Sequence, residues 1–234
     1  MNFNNRTVMI TGASGNLGRA VAEAFAQRGA NLVLVDLDRE RLEKAYPTQD
    51  AKRMLVPANL LDSDQVAAAI TTATVRFSRI DVLCNLAGGF RMGPAVHETS
   101  DRDWDFLFDI NARSMLNAVR AVVPKMMEAG SGKIINIGAN SAQKGVAQMG
   151  AYCASKDAVI RLTEAMAAEL RDKNINVNCV LPSIIDTPEN RAAMPDSDPA
   201  RWVAPKALAD VIAFLASDGA QAIHGAAIPV VGRS

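Results

Sequence analysis

Two residues near the middle of the chain stand out for what they can do together. Tyr152 and Lys156 lie four positions apart in GAYCASK, one turn apart on one helical face. A free tyrosine has a pKa of about 10 and is a poor base at neutral pH. A neighbouring ammonium stabilises the phenolate and lowers that value. Such a pair can pass a proton to or from a substrate oxygen. The segment leading up to it, GANSAQKG, is rich in small and polar residues, and Ser141 and Asn140 there offer further hydrogen-bond donors.

A second set of residues suits a dinucleotide. TGASGNLGR (11–19) carries Gly12, Gly15 and Gly18 with Ser14, Asn16 and Leu17 between them. Small residues let the backbone turn sharply and approach a pyrophosphate. A helix N-terminus after such a turn supplies N–H groups and a positive dipole end. Asp36, at the end of the next apolar run, can accept hydrogen bonds from the adenosine ribose and would repel a 2′-phosphate, which favours NAD(H) over NADP(H). Arg39 and Arg41 follow closely and weigh in the other direction. Asn59 and Leu60 fall where an adenine edge would lie. Leu86, Ala87 and Gly88 of NLAGG (85–89) would let the chain pass under a ribose. With a nicotinamide beside Tyr152 and Lys156, proton transfer could accompany hydride transfer.

These residues need elements to hold them. Short apolar runs at 7–11, 31–36, 53–58, 81–87, 133–138, 175–181 and 226–231 read as strands. Helical periodicity fills 16–28, the stretch from 38, the stretch after Asp62 or Ser63, 101–129, 151–172 and 204–217. Most strand runs are continuously apolar, as in a parallel sheet buried on both faces. The expected fold is α/β: a single-domain, doubly wound (Rossmann) parallel sheet of about seven strands with helices on both faces. All of 1–234 is read as one nucleotide-binding domain. The Pro/Asp-rich segment at 186–204 is a candidate lid, with Arg191, Met194 and Trp202 as substrate contacts and Glu189, Asp196 and Asp198 as solvated charges.

Composition narrows the classes. Acidic and basic residues balance at 25 each, which argues against a nucleic-acid backbone binder. Cys84, Cys153 and Cys179 have no metal spacing and read as buried free thiols. His97 and His224 are too far apart in sequence to suggest zinc, and no metal is expected. No signal peptide or membrane-spanning run is visible, so a cytoplasmic protein acting on a small molecule is expected.

The glycine turn, Asp36, NLAGG, Asn111, YxxxK and the loop after Pro182 occur in the order found in short-chain dehydrogenases/reductases, which this chain resembles over about residues 6 to 232. The resemblance implies an NAD(P)(H)-dependent oxidoreductase acting on a carbonyl/alcohol pair or a conjugated substrate. It implies Tyr152 as acid/base, Lys156 tuning it and binding the nicotinamide ribose, and Asn111 holding a relay water. Ile184 and Thr187, after Pro182, would contact the carboxamide. It also implies a homotetramer or homodimer built on helices 101–129 and 151–172.

Three departures from that pattern are visible. Ala139 stands where the family carries a serine, thirteen residues before the tyrosine, leaving Ser141 or Asn140 as substitutes. Asn16 replaces a glycine of the turn, and Leu86 an asparagine. In its second half, notably DTPENRAAMPDSDPARW (186–202), the chain is similar to the dihydropteridine reductase branch, which makes quinonoid pterin reduction the specific alternative. Loss of the serine also leaves a non-catalytic dinucleotide sensor or scaffold as a reading of another class.

Overall fold

The structure is a computed structural model that describes residues 1–48 and 50–234. Seven strands form one sheet: β1 (Thr7–Thr11), β2 (Asn31–Asp36), β3 (Arg53–Pro57), β4 (Val82–Asn85), β5 (Gly132–Ile137), β6 (Ile175–Pro182) and β7 (Ala227–Val230). Every pairing is parallel, and the order is β3-β2-β1-β4-β5-β6-β7. The order reverses direction between β1 and β4, so the crevice that binds ligands in such sheets opens there.

The continuous apolar runs are explained by a core on each face. Along β1, Met9 joins one core while Val8 and Ile10 join the other; along β2, Val33 and Val35 alternate with Leu32 and Leu34. Successive side chains point to opposite faces, so a strand covered on both sides must be apolar throughout. Helices α3 (Ser63–Phe77), α5 (Ser114–Glu128) and α6 (Gly150–Leu170) cover one face; α1 (Asn16–Ala26) and α8 (Pro205–Leu215) cover the other. A short α2 (Arg39–Ala45) starts at Asp38, whose carboxylate caps the N–H groups of Glu40 and Arg41. No helix among the described residues is long and apolar enough to cross a membrane.

The expected helix 101–129 is present and unbroken to Glu128, but its register changes part-way. It divides into α4 (Asp101–Phe108), a π turn at Asp109–Arg113 and α5. Ser100 caps the start of α4, as its spacing from Asp103 suggests. In the π turn the N–H of Ser114 bonds to the carbonyl of Asp109, five residues back. The last short helix of interest, α7 (Pro188–Ala193), lies in the expected lid.

Buried polar side chains tie α6 to the sheet. Asn85 Nδ2 donates to Asn136 Oδ1 at 2.8 Å, Asn136 Nδ2 to Thr163 Oγ1 at 2.9 Å, and Thr163 Oγ1 to the Val159 carbonyl at 2.8 Å. The ladder runs from β4 through β5 into α6. Thr163→Val keeps the shape but leaves the Asn136 amide buried without its acceptor, at a cost of about 1–3 kcal/mol. Urea unfolding should show that loss; an unchanged midpoint would mean the ladder does not hold α6.

Candidate active site

All seven strands run the same way, so their carboxyl ends form one edge, and the candidate residues gather along it. Gly12 follows β1 with φ of +65°, and a Cβ there would lie 2.9 Å from the Ala87 backbone. Glycine is therefore required both by the left-handed conformation and by the chain that passes beside it. Gly18 packs against the Gly12 and Ala13 carbonyls, where any side chain would overlap backbone. Helix α1 begins with Gly15 as N-cap and no side-chain cap. The first helical bond is Arg19 N–H to Gly15 O at 2.9 Å, so the N–H groups of Asn16, Leu17 and Gly18 precede the ladder and remain free to meet an anion.

Asp36 ends β2 and is already engaged. One carboxylate oxygen accepts from Ser14 N at 2.9 Å and Ser14 Oγ at 2.7 Å; the other accepts from Leu37 N at 2.8 Å. Ser14 thus fixes Asp36 against the glycine turn. Thr11 has no place among the expected site residues, yet its Oγ1 accepts from the N–H groups of Leu86 and Ala87 and sets the chain after β4 beside β1. Asn59 Oδ1 accepts from Leu61 N at 3.0 Å, and the Leu60 carbonyl accepts from Asn117 Nδ2 at 2.9 Å. Both residues shape the loop at the end of β3, and the Asn59 amide oxygen is committed to that loop.

Tyr152 and Lys156 lie on the first two turns of α6, as their spacing implies. Lys156 is buried, and its Nζ donates to the Ile137 carbonyl at 2.9 Å. A Cβ on Gly88 would lie 3.0 Å from Asn111 Oδ1 and 3.1 Å from Lys156 Nζ, so these three residues converge. Asn111, in the π turn, has both amide N–H groups engaged: Oδ1 accepts from Gly89 N at 2.9 Å, and Nδ2 donates to Gly89 O at 3.0 Å and Ser155 Oγ at 3.1 Å. Its side chain therefore clamps the loop after β4 to α6. Ser155, buried and in turn bonded to the Tyr152 carbonyl at 2.8 Å, was not apparent from the sequence.

Tyr152 lines a cavity of about 80 Å³ between the 91–94 loop, α4 and the 148–151 turn. Phe90 packs edge-on against its ring, centroids 4.9 Å apart. Arg91 pairs with Asp103 and lies over the Phe106 ring at 3.9 Å. Burial pushes the Tyr152 phenol up to about 12, and lowers Lys156 from 10.5 to about 8. The expected lowering of the phenol by Lys156 is not what this geometry gives, because burial outweighs any help from the ammonium.

The family profile described as short chain dehydrogenase matches residues 6–198. The chain belongs to this family. The D-threitol dehydrogenase of Mycolicibacterium smegmatis is 32% identical over 98% of this chain and 93% of its own length. The 3-oxoacyl-(acyl-carrier-protein) reductase FabG of Thermotoga maritima is 31% identical over 99% of this chain and 98% of its own length. Among solved structures, an NAD+-bound xylitol dehydrogenase superposes with a TM-score of 0.89 at 28% identity, covering 99% of this chain and 100% of that one. A 3-ketoacyl-(acyl-carrier-protein) reductase from Brucella melitensis with NADH gives the same TM-score and identity over 99% of each chain. These whole-length relatives do not support the closeness of the second half to dihydropteridine reductase.

Within this short-chain dehydrogenase, Ala139 is buried in extended backbone at the end of β5, and the next turn carries Asn140 and Ser141. The Ser141 carbonyl accepts from Cys153 Sγ at 3.3 Å, which seats this turn on the residue next to Tyr152. Among the described residues the Ser141 hydroxyl makes no hydrogen bond, whereas Asn140 Oδ1 is taken by Gln143 Nε2 at 2.6 Å. All three cysteines are buried free thiols.

In the segment after Pro182, Glu189, Asp196 and Asp198 are exposed, as expected, and other residues are held by local contacts. The Ile184 carbonyl accepts from Val203 N at 2.9 Å, and Thr187 Oγ1 caps α7 through Asn190 N. Arg191 forms a two-pronged pair with Asp186 at 2.6 and 2.8 Å, so its guanidinium serves the segment itself. Trp202 is buried and acts as an anchor. Asp198 caps the turn after it, and Glu189 Oε2 accepts from Asn16 Nδ2 at 2.7 Å.

The depressed Lys156 pKa has a consequence for stability. Below pH 8 the folded protein holds an ammonium out of water; between about 8 and 10.5 the folded form sheds that proton while the unfolded chain keeps it. The penalty is complete below 8 and fades as pH rises toward 10.5. Lys156→Met should therefore be more stable than the parent at pH 7, by up to about 3 kcal/mol. The gap should close in alkaline buffer. Urea unfolding of both proteins from pH 7 to 10.5 checks this; a gap of constant size would contradict it.

Proposed function

We propose that this short-chain dehydrogenase transfers hydride between NAD(H) and a small alcohol/carbonyl pair, with Tyr152 giving or taking the proton at the substrate oxygen. The observation that carries this reading is the convergence of Gly88, Asn111 and Lys156 at the end of β4, with Tyr152 one turn before Lys156 on α6. The residues present fit a dinucleotide: three free N–H groups at the start of α1 suit a pyrophosphate, and Asp36 retains lone pairs for ribose hydroxyls. Bound there, the nicotinamide supplies or accepts the hydride. Leu86, Ala87, Gly88, Pro182, Ile184 and Thr187 would flank it, and the Lys156 ammonium would hold its ribose.

With its pKa near 12, Tyr152 is protonated at neutral pH and suited to donate to a substrate oxygen during reduction. Alcohol oxidation needs the phenolate and should accelerate in alkaline solution. Both Asn111 N–H groups are spent on Gly89 and Ser155, so a relay water held by this side chain would donate to the remaining lone pair of Oδ1. Ala139 offers no donor, and Ser141 is our candidate for the missing substrate contact. The polyol and oxoacyl names of the relatives support a hydroxy or oxo substrate. We assign all 234 residues to one nucleotide-binding domain. Exposed Trp104, stacked on Phe108, and Met127 support association of subunits through α4 and α5.

Tyr152→Phe should abolish NADH-dependent turnover of the substrate found by screening ketones, polyols and quinonoid dihydropterin, while leaving NADH binding nearly intact. The alkaline rise in oxidation should vanish with it. Retained activity would remove Tyr152 from the chemistry, and NADH binding without turnover of any compound would favour the sensor reading.

Cofactor preference rests on Asp36. Its repulsion of a 2′-phosphate is of the order of 1 kcal/mol or more at intermediate dielectric. Asp36→Ala should narrow the ratio of NADH to NADPH affinities by about tenfold, read by fluorescence titration. An unchanged ratio would take Asp36 out of the discrimination.

A further inference from the structure

The amino-terminal edge of the sheet, opposite Tyr152, holds the larger cavity. It measures about 250 Å³ and is lined by polar side chains, among them Arg6, Arg79, Asp81, Ser131, Lys133 and Asp218. Each carboxylate has a guanidinium partner. Asp218 takes two bonds from Arg6 at 2.7 and 3.0 Å, and Asp81 lies 2.6 Å from Arg79 Nε while accepting from Thr7 N at 2.8 Å.

Lys133 is the third cation and has no such partner among the described residues. It is 8% exposed, and its Nζ donates to two neutral oxygens, Asn176 Oδ1 and Gln221 Oε1, both at 2.6 Å. Buried charges are ordinarily paired, because desolvation is otherwise uncompensated. Three cations against two carboxylates leave the cavity with one excess positive charge. One more donor flanks it: Ser131 Oγ, which accepts from Arg79 Nη2 at 2.8 Å, keeps its own proton to donate, while Arg79 Nε faces Asp81.

We propose that this cavity is a second binding site, for a small oxyanion, with Lys133 and Ser131 as donors and Arg79 beside them. A phosphate or carboxylate oxygen would accept the third Lys133 N–H and the Ser131 hydroxyl, and its charge would balance the excess. The site lies at the far ends of β1, β4 and β5 from the glycine turn, so it needs no dinucleotide and cannot be filled by one bound at that turn.

Titration calorimetry with inorganic phosphate and, separately, acetate tests this. Ionic strength is held constant with chloride, and excess NADH occupies the start of α1. The expected result is saturable binding of at least one anion, one per chain, weakened about tenfold by Lys133→Met and measurably by Ser131→Ala. The tighter of the two anions identifies the class. Absence of saturable binding up to about 50 mM, or equal binding by parent and both variants, overturns the proposal. Ser131→Ala alone decides the matter if Lys133→Met does not fold, since its hydroxyl is at the cavity wall and its loss leaves the Lys133 contacts in place.

Discussion

A cation taken out of water sets the terms for the rest of the site. The Lys156 ammonium is buried on α6 with the Ile137 carbonyl as its acceptor among the described residues, and the desolvation shows in a pKa near 8. One turn earlier the Tyr152 phenol is shifted the other way, to about 12. The same burial disfavours both charged forms, so it separates two values that start close together near 10. Groups whose environments push their titrations apart can divide labour, one remaining a proton donor while the other changes charge readily. A buried cation that costs stability is characteristic of a site whose chemistry uses it.

Such a pair is useful only if its helix is fixed against the sheet edge, and the polar contacts around α6 do that. The Asn85–Asn136–Thr163 ladder sets the depth of the helix against β4 and β5. Asn111 sets its start, joining Gly89 to Ser155 through three hydrogen bonds of one amide. The π turn is the local adjustment that accompanies this clamp. Inserting one residue into the helical register weakens the backbone ladder there, and three side-chain bonds to buried partners offset the loss.

What the sequence made legible was local or periodic. The continuous apolar runs inside β1 and β2 show only one good solution, a parallel sheet covered on both sides. The glycine turn and the Tyr152–Lys156 spacing are read within a few residues. The π turn was hidden because the apolar stripe of residues 101–129 continues through it. Ser155 was hidden because its value depends on Asn111, 44 residues away in sequence. The direction of the Tyr152 shift was misjudged for a related reason: spacing reveals the neighbouring cation, but burial is a property of the whole fold. The Asp186–Arg191 pair is only five residues apart and was open to a local reading.

Asn16, a departure from the family turn, gains a physical account from the same contacts. Its amide donates to Glu189 on α7 and its oxygen accepts from Arg19 Nη2 at 2.8 Å, so it links α7 to the start of α1. These side chains are exposed, and contacts of that kind contribute little, of the order of 1 kcal/mol or less. The two ends of the segment are held much more firmly: Pro182 ends a strand paired on both sides, and Trp202 is buried beside the Ile185–Val203 bridge. The stretch carrying α7 thus has its weakest contacts in the middle and its firmest at the two ends. A glycine at position 16 would leave α7 without this side-chain contact to the glycine turn, so the substitution ties the segment after β6 to the start of α1.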